Sequence, residues 1–146
     1  MNKIDVVQLL QNGQSVQIQP QGISMYPLIV SGRDSVIICP LQGHTCRRGD
    51  VVLFRNNENR LVLHRVVKQN HQGYYFVGDN QIAVEGPVAP EQIVGIATVF
   101  IRKDKEISHR NVIYRVLSFL WLLVRPFRFI GWKIMRGLRR IHAHKN

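Results

Sequence analysis

Short runs of β-branched and aromatic residues, separated by turn-forming residues, fill the first hundred positions of this chain. Segments rich in Asn, Gln, Gly and Pro lie between these runs and have the composition of turns. The apolar or alternating runs occupy residues 15–19, 34–40, 49–55, 60–68, 74–78 and 93–101. Five or six strands without strand–helix alternation predict a mainly β fold built on an antiparallel sheet.

The beginning of the chain predicts a short helix. Ile4, Val7 and Leu10 are spaced for one face of a helix over residues 4–11, and Asn12-Gly13 ends it. These residues contain no continuous apolar run and no small-residue cleavage site, so they do not form a secretory signal.

Charge divides the chain into two parts. Residues 1–100 hold 8 Lys and Arg against 7 Asp and Glu, whereas residues 101–146 hold 12 against 2. A chain of 146 residues has the size of one domain. We therefore expect a nearly neutral domain over 1–105 and a basic, hydrophobic C-terminal segment over 106–146, which suits an anionic partner.

The C-terminal segment favours a lipid surface as that partner. Its longest apolar run, 116–124, is shorter than the ~20 residues that a spanning helix needs, and longer windows include arginines and Pro126. From Phe127 onward, bulky apolar residues alternate with Lys and Arg, as in a helix that lies in the membrane interface. Whether residues 112–132 span or lie in the interface stays open, as does the side of the membrane.

Two other interpretations of this segment are a helix docked on the β domain with a charged outer face, and a nucleic-acid contact. The Trp and Phe side chains suit lipid better than nucleic acid, and the base-reading Ser, Thr and Asn side chains are scarce. We therefore expect no nucleic-acid partner. Cys39 and Cys46 are two free thiols, a disulfide across a loop, or, with His44, a fragment of a zinc site that lacks an evident fourth ligand.

Five short segments carry the candidate chemistry. A serine hydroxyl becomes a good nucleophile only when a neighbouring base takes its proton. Gly22 and Pro27 can fix a bend that leaves Ser24 open to a substrate, and His64 has an ordinary pKa near 6.5 that allows it to act as that base at neutral pH. Asp50 lies in an Arg-Gly-Asp turn and is expected to fix that turn. The segments, in order, are GISMYP at 22–27, RRGDVVLF at 47–54, LHRVV at 63–67, GDN at 78–80 and VEG at 84–86.

The order of these segments, over roughly residues 13–100, resembles that of the type I signal peptidases, in the wider group that includes the self-cleaving LexA-like repressors. The resemblance implies a coiled antiparallel β-sheet and a serine endopeptidase that needs no cofactor or metal. Ser24 would be the nucleophile, and its backbone N–H would form part of the oxyanion hole. Many members have a lysine base where this chain has His64, but the endoplasmic-reticulum type has histidine there. Asp79 or Glu85 would orient His64.

The chain departs from this family in two respects. Gly22 stands where some members place a hydroxyl for the oxyanion hole, and the hydrophobic segment is expected to be C-terminal rather than an N-terminal anchor. The expected function is a membrane-associated endopeptidase that cleaves signal or leader peptides. The alternative is an inactive peptide-binding or membrane-scaffold protein that keeps the fold. A histidine base predicts that activity falls as the pH drops through the histidine pKa.

Overall fold

A computed structural model describes residues 5–128, 130, 131, 133 and 134 of the chain. The mainly β architecture expected from the sequence is confirmed: one eight-stranded sheet carries two short helices. In chain order the elements are α1 (Val6–Gln11), β1 (Val16–Ile18), β2 (Asp34–Cys39), β3 (Val51–Arg55), β4 (Leu61–Asn70), β5 (Gly73–Val77), β6 (Glu85–Val88), β7 (Ile93–Arg102), β8 (Lys105–Ser108) and α2 (Val112–Leu123).

The sheet is antiparallel at each of its strand pairs. Its strands run in the order β1-β2-β7-β3-β4-β5-β6, and β8 pairs with the second half of β7. All six predicted runs are strands. The sequence reading missed β6 and β8, because β6 is Glu-Gly-Pro-Val and β8 is Lys-Glu-Ile-Ser, so neither has an apolar pattern.

The sheet separates two apolar cores. β3 and β4 lie in its middle and are buried on both faces, so consecutive residues point into different cores. The first core includes Leu10, Met25, Ile29, Leu53 and Phe100. The second includes Cys46, Phe54, Val66, Phe76 and Val88, with the rings of Phe54 and Phe76 stacked 4.2 Å apart.

The predicted N-terminal helix is present, and Asp5 caps it by accepting hydrogen bonds from the N–H groups of Val7 and Gln8. Ile4 of that prediction lies outside the described residues. The C-terminal segment begins with β8, which extends the sheet beyond residue 105, and continues into α2. No helix in the described part of the chain is long and apolar enough to cross a bilayer. From residue 135 onward, the predicted amphipathic segment lies outside the described residues.

Candidate active site

Ser24 lies in a turn that buried neighbours fix in place. The N–H of Tyr26 donates to the carbonyl of Ile23 (3.1 Å), and the N–H of Ile29 donates to that of Met25 (2.9 Å). Met25 and Ile29 are buried in the first core, whereas Ser24 itself is partly exposed. Gly22 has a φ of 79°, a left-handed conformation that favours glycine, so the predicted bend before the serine is present.

A second anchor holds the far end of the serine turn. The buried carboxylate of Asp34 accepts hydrogen bonds from the N–H of Val30 (2.9 Å) and from the Arg33 and Arg102 guanidinium groups. Burial disfavours the Asp34 charge, but these hydrogen bonds outweigh it and lower its pKa to about 2. Arg102 also donates to the carbonyl of Leu28 (2.6 Å). The turn is therefore tied to β2 and β7.

The Gly-Asp-Asn segment contacts the serine directly through the backbone. The N–H of Asn80 donates to the carbonyl oxygen of Ser24 (2.8 Å). A Cβ at Gly78 would lie 2.6 Å from the same oxygen, which is closer than real Cβ contacts occur. The glycine therefore allows the segment that follows β5 to approach the serine turn, and two of the sequence motifs meet here.

A groove of about 370 Å³ runs beside Ser24. Its walls are the end of β1, the serine turn and residues 61–63 of β4, with Leu53 and Ile29 contributing apolar surface. β5 pairs with β4 only from Arg65 onward, so in the described structure residues 61–64 are paired to β3 on one side and to no strand on the other. An open strand edge therefore lies along an apolar groove, immediately before His64.

His64 is buried on the face of β4 that belongs to the second core. Its ring centroid lies 6.1 Å from that of Phe54. Burial lowers the pKa of His64 to about 4, which the negative charge of Asp79 opposes only in part. The imidazole is therefore neutral at neutral pH, as a general base must be.

Glu85 is the carboxylate nearest to the His64 ring. Its Oε2 lies 3.4 Å from Nδ1 of His64, but the atoms are not aligned for a hydrogen bond, so this buried nitrogen has no hydrogen-bond partner within the described residues. Burial raises the pKa of Glu85, an effect that a hydrogen bond from Asn56 opposes. A small rotation of either side chain would let Nδ1–H donate to Glu85 and leave Nε2 free to accept a proton.

Asp79 binds Arg65 instead of His64. The guanidinium donates two hydrogen bonds to the Asp79 carboxylate, each 2.7 Å long, and both side chains are fully buried. Burial disfavours the charge of Arg65, but the bonds to Asp79 outweigh that and raise its pKa above the ordinary value. Of the two carboxylates predicted to orient His64, only Glu85 lies against the ring.

Residues of α2 complete the environment of the Arg65–Asp79 pair. Arg65 donates to the hydroxyl oxygens of Ser118 (3.1 Å) and Tyr114 (3.3 Å). Trp121 donates its indole N–H to the backbone carbonyl of Asp79 (2.8 Å). The sequence reading did not assign these residues to the site, although a serine inside the apolar run 116–124 was a signal that one face of this helix meets polar groups.

The structure brings the candidate residues together only in part. Ser24 contacts the 78–80 segment, and His64 faces Glu85, but no hydrogen bond joins the Ser24 hydroxyl to His64 among the described residues. His64 is also not among the residues that line the groove. Asp50 accepts a hydrogen bond from the N–H of Arg47 (2.7 Å), so it fixes its turn as expected.

The cysteines are separate. Cys39 and Cys46 are both free thiols, and Cys39 Sγ lies 3.1 Å from the Ser15 hydroxyl and 3.2 Å from that of Thr98. In the part of the chain that the structure describes, no group of three His, Cys, Asp or Glu side chains could hold a metal ion.

A comparison with protein-family models found no family that matches this chain, and a comparison with curated proteins found no matching protein.

Proposed function

We propose that this protein is a membrane-associated serine endopeptidase of the signal-peptidase type, which cleaves signal or leader peptides with Ser24 as nucleophile and His64 as base. One observation carries the proposal: a buried, neutral histidine faces a carboxylate at 3.4 Å, on the strand that walls the groove beside Ser24. Histidine chemistry of this kind uses a third group that orients the ring, and Glu85 fills that role.

The open edge of β4 offers a place for the substrate. An extended peptide can add to residues 61–64 by backbone hydrogen bonds, with alternate side chains in the apolar groove. This arrangement lays the scissile carbonyl beside Ser24. Signal and leader peptides are apolar and are cleaved in an extended form, so they suit such a groove.

In the proposed reaction, Nε2 of His64 takes the proton of the Ser24 hydroxyl as Oγ attacks the scissile carbonyl carbon. The carbonyl oxygen becomes an oxyanion that accepts a hydrogen bond from the Ser24 N–H. His64 then gives its proton to the leaving amine, and water hydrolyses the acyl-enzyme by the same steps. Hydrogen bonds of catalytic groups often form only when the substrate is bound, so the absent Ser24–His64 bond is compatible with this role.

A second candidate is an inactive peptide-binding or membrane-scaffold protein. Two observations favour it: the Ser24 hydroxyl is not hydrogen-bonded to His64, and Gly22 supplies no side-chain donor for an oxyanion. A scaffold would keep the groove and the open strand edge without the chemistry. The two candidates therefore differ in the reactivity of Ser24.

The test uses the full chain with a leader peptide and a serine-reactive fluorophosphonate. Ser24→Ala and His64→Gln should each abolish cleavage and probe labelling. Ser31→Ala should leave both unchanged, because Ser31 lines the same groove without a proposed role. Cleavage that survives in Ser24→Ala would rule out the proposed nucleophile. An intact chain that neither cleaves nor labels would support the scaffold.

The outer face of α2 supports association with lipid. Its inward side carries Tyr114, Ser118, Trp121 and Leu122, but eight apolar residues outside that side are exposed by 44–73%. They are Val112, Ile113, Val116, Leu117, Phe119, Leu120, Leu123 and Val124. The helix thus docks on the sheet as one alternative expected, but its outer face is apolar rather than charged, which fits the hydrocarbon boundary of a bilayer.

A further inference from the structure

A crevice separates α2 from the first residues of β3. Its volume is about 280 Å³, and apolar side chains from the sheet and the helix, among them Val51, Phe100, Phe119 and Leu122, form its walls. A dry cavity of ~150 Å³ is enough to bind benzene, so this space accepts a longer hydrocarbon chain. It plays no part in the proposed cleavage, because Ser24, His64 and Glu85 do not line it.

The rim of the crevice is basic. Arg48 and Arg115 line it, and the guanidinium carbon of Arg48 lies 5.8 Å from the ring centroid of Phe119. An adjoining cavity shares Arg115 and adds Arg47 and Arg110. Asp50 is the one carboxylate among the described residues that line either space. Four arginines against one aspartate favour an anionic group at the rim.

The crevice adjoins the exposed apolar face of α2. Val116 and Phe119 belong both to that face and to the crevice wall. A hydrocarbon chain could therefore move from a bilayer that covers α2 into the crevice without crossing water. A peptide or nucleic acid would bring polar backbone into this apolar space, at a large desolvation penalty.

We propose that the crevice between α2 and β3 binds one anionic phospholipid of the membrane, with an acyl chain against Phe119 and Leu122 and the phosphate between Arg48 and Arg115. The inference rests on the proposed association with lipid but not on the proposed peptide cleavage. It assigns the lipid contact to a built site in the folded domain, in addition to the basic C-terminal segment.

The experiment uses the full chain and vesicles of phosphatidylcholine, alone or mixed in equal parts with phosphatidylglycerol. Arg48→Gln/Arg115→Gln removes the rim charges. Arg60→Gln/Lys103→Gln removes the same net charge from exposed positions outside the crevice and is the matched control. Circular dichroism checks that both variants fold as the parent does. A phosphatidylglycerol with a photoreactive acyl chain then maps the contact by mass spectrometry.

A basic residue near an anionic membrane contributes about fivefold to binding, so the rim variant should bind the mixed vesicles about 25-fold more weakly than the parent. The control should change little. The photoprobe should label Phe119, Leu122 or Val51 in the parent, and this label should disappear in the rim variant. Equal losses in both variants, no loss in either, or label confined to outward residues such as Leu120 and Leu123 would overturn the inference. Leader-peptide cleavage is assayed separately, so its failure leaves this result unaffected.

Discussion

Nδ1 of His64 lies 3.4 Å from Oε2 of Glu85, and the histidine is buried whereas the glutamate is partly exposed. The carboxylate of Asp79 is fully occupied by Arg65. The two acidic residues that follow β5 therefore have different surroundings: one faces an imidazole, and the other neutralises a buried guanidinium. Their substitutions should have different effects.

Glu85→Gln should lower kcat by about 10²-fold, because the orienting carboxylate contributes part of what general acid–base catalysis supplies. Its melting temperature should change little. Asp79→Asn should instead lower the free energy of unfolding by about 3–5 kcal/mol, since it leaves Arg65 buried without its counter-charge. Cleavage kinetics and urea denaturation measure both effects, with Glu58→Gln, an exposed carboxylate, as the control. A stable Asp79→Asn variant beside a fully active Glu85→Gln variant would reverse the assignment.

The pH dependence of cleavage should follow the buried histidine. A base works only when it is unprotonated, and burial lowers the pKa of His64 to about 4. We therefore expect kcat/KM to be level between about pH 5 and pH 8 and to fall as the pH drops through about 4. The sequence, which shows only the ordinary pKa near 6.5, places this fall at a higher pH. A substrate peptide without titratable groups isolates the enzyme, and an inflection near pH 6.5 would contradict the effect of burial.

The sequence predicted the strands because each has an apolar or alternating run, and β6 and β8 lack one. It predicted Ser24 and His64 from short motifs, and the bend at Gly22 follows from residue type. Two features depended on three-dimensional contacts that no local pattern shows. These are the pairing of Asp79 with Arg65, fourteen residues apart, and the apolar outer face of α2. The burial that lowers the His64 pKa also arises only when the sheet closes around it.

Stability should report the same histidine without any substrate. The pKa of His64 is about 4 in the folded chain and near 6.5 when unfolded, so between these values the unfolded chain binds more protons. Its stabilising contribution is full above pH 6.5 and is lost as the pH falls toward 4, by about 3 kcal/mol. His64→Gln removes this term. The difference in unfolding free energy between parent and variant should therefore shrink by that amount from pH 7 to pH 4, and a constant difference would show that His64 titrates normally.

Gly78 should prove essential for the position of the serine turn. A Cβ there would lie 2.6 Å from the Ser24 carbonyl oxygen and 2.7 Å from Oε1 of Gln81. The Gln81 side chain can move away, but the Ser24 carbonyl is fixed by its hydrogen bond from Asn80. Gly78→Ala should therefore displace the turn, lower the free energy of unfolding by about 1–3 kcal/mol and lower kcat by about 10²-fold.

The double variant Gly78→Ala/Gln81→Ala separates the two contacts. It removes the Gln81 side chain but leaves the new methyl against the Ser24 carbonyl, so both losses should persist. Gln81→Ala alone is the control and should be nearly neutral, because it leaves the approach of Gly78 to Ser24 unchanged. If the double variant regained the activity and stability of the parent, the clash would lie with Gln81, and the close approach of residue 78 to the serine turn would not matter for catalysis.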